Sequence, residues 1–138
     1  MAIKNTSLRS RKSVYSDLDF KFRLIPGSGD VNVKTDLAAI RQSVINIIMT
    51  SKGERPFDPQ FGSNVKSYLF EHFDSITEAI MMSEIKDSLK NYEPRVTVLA
   101  VVIEDLSYRN ALSINIQLQV KSPEGETAEI EFIVERLR

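Results

Sequence analysis

Asn91-Tyr92-Glu93-Pro94-Arg95 is where an apolar-periodic helix stops and a run of strand formers begins. Proline has no backbone N–H, and its ring pushes the preceding residue out of the α region. The helix is therefore expected to end near Tyr92 or Glu93, and Arg95 to open an extended segment. Glu93 then sets an anion at the negative end of a helix dipole, at a cost of roughly 0.3–1 kcal/mol unless a cation answers it. Arg95 is the nearest cation. Two residues apart in extended chain, the carboxylate and the five-donor guanidinium project to the same side, free to brace the fold or to meet a partner.

On the N-terminal side of this joint, Ile76, Ile80, Met82, Ile85 and Leu89 recur at helical spacing, and Ser75-Ile76-Thr77-Glu78 has the spacing of a capping box, which predicts a helix to about Tyr92. A shorter helix is expected from Asn64 to Phe70, with Val65, Leu69 and Tyr68 inward. Ahead of it, Arg55-Pro56-Phe57-Asp58-Pro59-Gln60-Phe61-Gly62 is stiffened by two prolines, while Phe57 and Phe61 carry enough apolar area to call for burial. This loop reads as a rigid shelf pinned to the body. Leu37, Ile40, Val44, Ile47 and Ile48 share a face of a helix over about 36–50, with Thr35 or Asp36 to cap its start and Gly53 just past its end. Further upstream, Phe20, Phe22 and Leu24 alternate with Lys21 and Arg23 as a half-buried strand. Pro26-Gly27-Ser28-Gly29-Asp30 supplies a turn, and Val31 to Lys34 alternates again, which predicts a short hairpin after the turn-rich Tyr15-Ser16-Asp17-Leu18-Asp19. Residues 1–14 hold Lys4, Arg9, Arg11 and Lys12 with no acid and little to bury; they read as a flexible basic arm.

On the C-terminal side, Val96 to Ile103 is apolar on both faces in its second half, as a central strand would be. Leu112, Ile114, Ile116, Leu118 and Val120 alternate with Ser113, Asn115, Gln117, Gln119 and Lys121. After Pro123-Glu124-Gly125, Ile130, Phe132 and Val134 alternate with Glu129, Glu131 and Glu135. The expected fold is α+β: three helices packed on an antiparallel C-terminal β-meander, with a short N-terminal β-hairpin, as one domain over 15–138. The 138 residues, 42% apolar and 27% charged, suffice for a core. A net charge of −1 gives no global attraction to nucleic acid or membrane, and the longest apolar run is too short to span a bilayer. The absence of cysteine and of a hydrophobic signal core fits a soluble product assembled in a reducing cytoplasm.

Chemistry is sparse. His72 is the single histidine, so neither a Ser/His triad nor a His-rich metal site can be assembled. Glu54, Asp58, Glu71, Asp74, Glu78 and Glu93 offer carboxylates, but any chain of this size offers some pair, and Glu78 is already accounted for by capping. Gly27-Ser28-Gly29 lacks the lysine and the strand-to-helix setting of a phosphate loop, and Met81-Met82 reads as core filling. No catalytic residue, cofactor or metal is expected. The loop at 55–62 and the triplet at 93–95 are left without an explanation in stability alone.

Those two stretches, together with Leu69-Phe70 and Tyr15-Ser16-Asp17-Leu18-Asp19, resemble the baseplate wedge and sheath-initiator family of contractile phage tails, with relatives in type VI secretion and phage-tail-like bacteriocin baseplates. The likeness runs from about Tyr15 to the C-terminus. It implies a structural, non-enzymatic protein of the virion tail baseplate. Glu93, Pro94 and Arg95 would seat it on other wedge proteins, and the strands around 111–121 and 127–136 would face the tail sheath protein and share a β-sheet with it. Arg55, Phe57, Asp58 and Phe61 of the loop, and Ile130, Phe132 and Val134 of the last strand, complete the candidate partner-binding set, with the tail tube or hub as further candidates. Two rivals are a carboxylate-based peptidoglycan hydrolase of a tail and a small adaptor domain unrelated to tails.

Overall fold

A computed structural model describes residues 15–19, 21–27, 29, 33–121 and 125–135. The basic arm at 1–14, Phe20 and the centre of the Pro123-Glu124 turn lie outside the described residues. The chain divides into two compact units, one up to Ala39 and one from Ile40 onward.

In the first unit, strands β1 (Ser16–Leu18) and β2 (Val33–Thr35) pair antiparallel, Ser16 opposite Thr35 and Leu18 opposite Val33. The pairing continues for one more step: Asp36 N–H donates to the Tyr15 carbonyl at 2.8 Å, and Tyr15 N–H donates to Asp36 Oδ1 at 3.2 Å. The hairpin is thus present, but its first strand is the segment expected to be a turn, and of the strand expected at 20–24 the described residues, 21–24, form none. The local competition is visible at Asp19, whose carboxylate accepts from Lys21 N–H at 3.2 Å while its carbonyl accepts from Phe22 N–H at 2.8 Å. Side chains of this type draw the backbone into turns. Phe22 sits at φ 46, and Phe22 and Leu24 are exposed.

The second unit holds most of the core. Helix α1 (Asp36–Met49) begins in the first unit and buries Ile40, Val44, Ile47 and Ile48; Leu37, expected on this face, is 40% exposed. Helix α2 (Val65–Tyr68) is a single turn that buries Val65, followed by the buried Leu69. Helix α3 (Ser75–Tyr92) starts one residue earlier than its capping-box spacing implied. The N-cap is Asp74, whose carboxylate accepts from Thr77 N–H at 2.7 Å. That bond holds Asp74 below the usual carboxylate range. Glu78 is therefore not the reciprocal partner, and the buried stripe is Met81, Ile85, Ser88 and Leu89, while Ile76 and Ile80 face solvent. The Met81-Met82 reading holds for Met81, which is fully buried.

Strands β3 (Val96–Leu106), β4 (Ala111–Val120) and β5 (Thr127–Glu135) form an antiparallel meander in the order β3-β4-β5, with α3 packed against β3. β4 is the central strand, not β3 as expected. The two-faced apolar pattern of β3 has another cause. The register slips between Val98 and Ala100, so Leu99 is a bulge residue. The alternation reverses there. Val96, Val101 and Ile103 are buried, while Leu99 and Val102 are half exposed. Ile114, Ile116 and Leu118 of β4, with Ile130 and Val134 of β5, complete the core side of the sheet.

Candidate functional site

The loop and the triplet that stood apart in the sequence meet at the C-terminal end of α3. Phe61 packs edge-on against Tyr92, ring centroids 5.0 Å apart, and the Arg55 guanidinium lies 4.6 Å over the Phe61 ring. Contacts of this geometry hold a cation and two rings in a fixed stack. The next residues in the chain are Glu93, Pro94 and Arg95.

Glu93 closes the helix, its N–H donating to the Leu89 carbonyl at 2.9 Å, and its side chain turns inward to 2% exposure. Arg95 meets it with two parallel bonds, Nε to Oε1 at 2.6 Å and Nη2 to Oε2 at 2.7 Å, and the Ser43 hydroxyl of α1 donates to the same carboxylate. Burial alone would push the Glu93 carboxyl up. The Arg95 and Ser43 hydrogen bonds and the guanidinium charge outweigh it, and the group sits below the usual range. Arg95 is about one-fifth exposed and Pro94 is exposed, so the outward part of the triplet is the proline ring and one side of the guanidinium.

The loop itself is tied down by its own backbone. Gly53 N–H donates to the Pro59 carbonyl at 2.8 Å, Phe61 N–H to Asp58 at 3.1 Å, and Ser51 N–H to Glu54 Oε2 at 2.9 Å. Gly53 thus serves the loop rather than the helix end. The closure of α1 is made by Gly62 and Ser63. Ser63 Oγ donates to the Ile48 carbonyl at 2.8 Å, Ser63 N–H to Thr50 at 2.9 Å, and Ser88 Oγ reaches the Gly62 carbonyl at 2.9 Å. Gly62 has φ +105, and a Cβ there would lie 2.2 Å from the Thr50 carbonyl oxygen, so only glycine fits. The shelf is rigid as expected, with one correction: Phe61 is packed, whereas Phe57 is fully exposed at the loop's tip. The two prolines and the turn bonds stiffen the loop without needing Phe57 for an anchor.

Beside this loop runs a groove of about 560 Å³ lined by Lys52, Tyr68, Ser83, Glu84, Asp87 and Tyr92, among others. Lys52 Nζ binds Glu84 Oε1 at 2.7 Å, and the same oxygen accepts from Asn64 N–H at 3.3 Å. Burial, and then the Glu84 charge and its hydrogen bond with the phenol, push Tyr68 up. The Glu84 carboxylate of the groove is thus already answered. Among the described residues no cluster of three His, Cys, Asp or Glu side chains is placed to hold a metal ion, and no helix is long and apolar enough to cross a membrane.

The last strand contributes differently. Ile130 and Val134 are buried and Phe132 half-buried, so they hold β5 to the core. The ladder phase follows from one bond: Val120 N–H donates to the Glu126 carbonyl at 2.8 Å, which makes 120/126, and by alternation 116/130 and 114/132, the hydrogen-bonded pairs. The backbone groups of Thr127, Glu129, Glu131, Ile133 and Glu135 therefore point away from β4, toward the sheet edge. Sequence reasoning missed Ser43, Ser63 and Ser88, and quoted Tyr92 and Gly62 without the packing and closure roles they have here. Ser88 alone carried a signal, a hydroxyl three residues after Ile85 on a buried helical stripe.

Residues 34–124 match the family of baseplate wedge protein gp25. The chain is 39% identical over 88 residues to the baseplate wedge protein gp25 of Enterobacteria phage T4, an alignment covering 64% of this chain and 66%, just under two thirds, of that relative. A candidate tail lysozyme of Geobacter sulfurreducens is 25% identical and superposes with a TM-score of 0.65, over 72% of this chain and 90% of that one. A chain of the anti-feeding prophage baseplate shares the fold at 21% identity, TM-score 0.60, over 86% and 83%. A chain of the type VI secretion baseplate complex does so at 15%, TM-score 0.57, over 71% and 93%. With its helices, its antiparallel meander and the Glu-Pro-Arg joint in place, this chain belongs to the baseplate wedge gp25 family.

Proposed function

We propose that the chain is a structural, non-enzymatic wedge component of a contractile-tail baseplate, located in the assembled virion or particle. It joins neighbouring wedge proteins at the surface where the 55–62 loop meets the 93–95 joint, and offers β5 as the edge on which the first sheath strands are laid. Family membership supports the baseplate part. The observation that carries the finer part is the asymmetry of the two sheet edges. β3 is interrupted by the bulge at Leu99, a device that discourages strand addition, whereas β5 runs nine residues in unbroken register with every second N–H and C=O directed outward. An incoming strand adds through those backbone groups, and Glu129, Glu131 and Glu135 select against a second copy of β5.

At the other contact, Glu93 acts through Arg95: it fixes the guanidinium while Pro94 and the exposed side of Arg95 face the partner. Phe57 supplies an exposed aromatic on a loop that loses little freedom on binding, the economy by which rigid anchors gain affinity.

The likeness to a candidate tail lysozyme favours hydrolysis as the second reading. A general acid at neutral pH needs a carboxyl held above its ordinary range. Among the described residues two carboxylates are buried: Glu93 is held below its own range and is occupied by Arg95, and Asp19 is engaged by the Lys21 N–H and the Arg23 guanidinium. Cleavage of purified peptidoglycan, abolished by one Asp or Glu substitution, would overturn the non-enzymatic reading.

The templating role is tested with two prolines. Glu131→Pro removes an outward N–H and is expected to leave the domain folded while blocking sheath growth on otherwise complete baseplates. Phe132→Pro removes a ladder donor and is expected to unfold the strand. Normal sheath growth from a folded Glu131→Pro protein would rule out templating by β5.

A further inference from the structure

The side of the sheet turned away from the core carries its own chemistry. Register places Leu106, Ala111 and Glu135 in one row across the three strands, then Glu104, Ser113 and Ile133, then Val102, Asn115 and Glu131, then Ala100, Gln117 and Glu129. Four carboxylates, Glu104, Glu129, Glu131 and Glu135, share this face with no lysine or arginine in any of those rows, and each of the four is exposed. Glu129 accepts from Asn115 Nδ2 at 2.5 Å; among the described residues none of the four is ion-paired. Apolar side chains lie between them, Val102 49% and Ile133 43% exposed. The middle column is short: Ala111 and Ser113, already buried beneath their neighbours, and the part-buried Asn115 are flanked by longer residues on β3 and β5. With strands about 4.8 Å apart, the flanking columns stand about 10 Å from each other centre to centre, so the three columns together offer a face on which one α-helix can rest. The Asn115 Oδ1 acceptor on the floor of this trough is buried without a hydrogen-bond partner.

We propose that this trough is a docking surface for an amphipathic helix of another protein, one whose contacting face interleaves lysine or arginine with small apolar residues. Charge complementarity makes the choice. Four unanswered carboxylates repel a nucleic acid, an anionic lipid surface and a second copy of the same face, and they attract a cationic element. The chain's own basic stretch, Lys4 to Lys12, has the charge but little apolar surface to set against Val102 and Ile133. This contact is separate from strand addition, which uses the backbone of β5 rather than the face of the sheet.

The test is zero-length carbodiimide coupling of carboxylates to amines in cells producing the particles. Products are captured on a tagged full-length chain and mapped by mass spectrometry, with glycine ethyl ester as competing soluble amine. The expected result is coupling of Glu104, Glu129, Glu131 or Glu135 to lysines spaced three or four residues apart on one segment of another protein. In the triple variant Glu129→Gln, Glu131→Gln, Glu135→Gln, coupling through the remaining Glu104 should fall at least about tenfold. Its melting temperature should be unchanged or raised, since like charges on one face have been removed. Coupling only to the soluble amine, coupling to Lys4 or Lys12 of this chain, lysines at strand spacing, or an unchanged Glu104 yield would each overturn the inference. Should the helix belong to a protein outside the baseplate, the docking surface stands and the baseplate reading falls.

Discussion

Glu93→Ala isolates the chain's best-defined internal contact. The side chain is 2% exposed and meets Arg95 with two bonds of 2.6 and 2.7 Å, with Ser43 as second partner. Removing one member of a buried ion pair costs about 3–5 kcal/mol, because the remaining charge keeps its desolvation penalty. Arg95, one-fifth exposed, recovers part of its hydration, which places the expected loss near the lower end, about 3 kcal/mol. For a domain of this size that is a fall of roughly 10 °C in melting temperature. Arg95→Ala should cost more, since it strands the more deeply buried Glu93, and Glu93→Gln less, since it keeps the shape and an acceptor for Ser43. The pair also sets a pH dependence. Glu93 is lowered in the folded state, so its contribution is fully present above the unfolded value of about 4.3 and is lost as pH falls through the lower folded value. Thermal denaturation of the isolated protein at pH 7 and in steps below pH 4.5 reads both effects. Glu93→Ala should flatten the acid limb relative to the parent protein. A melting temperature within 1 °C of the parent, or an unchanged acid limb, would refute the bracing role and return both side chains to the partner surface.

Other substitutions separate fold from assembly. Gly62→Ala should destabilise by about 3 kcal/mol or more, because φ +105 disfavours any Cβ and this one meets a carbonyl; a melting curve like the parent's would refute that packing. Phe57→Ala should change stability by less than about 0.5 kcal/mol, since the ring is wholly exposed, yet lower incorporation into baseplates measured by co-purification. Asp74→Ala should lower helix stability by removing the acceptor for Thr77 N–H, with a loss that shrinks as pH falls and the parent's own Asp74 is protonated; melting at pH 7 and pH 3 compares the two.

The joint at 91–95 was legible because two local rules coincide there: proline ends the helix, and an extended i, i+2 pair shares a side. The alternation of β4 and β5 was legible because each strand has one wet face. β3 was misread because a bulge at Leu99 turns one alternating strand into two half-strands of opposite phase, and a sequence so phased looks apolar on both sides. The first strand was misplaced for a similar reason of scale. Phe20, Phe22 and Leu24 have the right period, but the turn bonds to Asp19 decide the backbone, and those depend on a side-chain conformation that periodicity does not encode. Phe57 was expected inside because aromatic area usually finds cover. The backbone bonds of the loop make that cover unnecessary.

The same chain features separate two ways of meeting a partner. At the joint, the proposed recognition would be by side chains: Phe57 and the outer part of Arg95 stand on backbone held by the Gly53–Pro59 bond, the Gly62 strap and the Glu93 carboxylate, so little ordering would remain to be done on binding. At β5, the proposed recognition would be by backbone, which does not discriminate between strands, so selectivity would have to come from what flanks the ladder. Glu129, Glu131 and Glu135 are three of the five β5 residues whose N–H and C=O point outward, so an incoming strand would align directly beside three carboxylates. A neutral or basic strand would be accepted and an acidic one rejected, which would also keep two copies of this chain from pairing edge to edge. The bulge on β3 disfavours addition at the opposite edge. On the proposed reading the sheet would have a single direction of growth, set by one extra residue on one strand and an acidic alternation on the other.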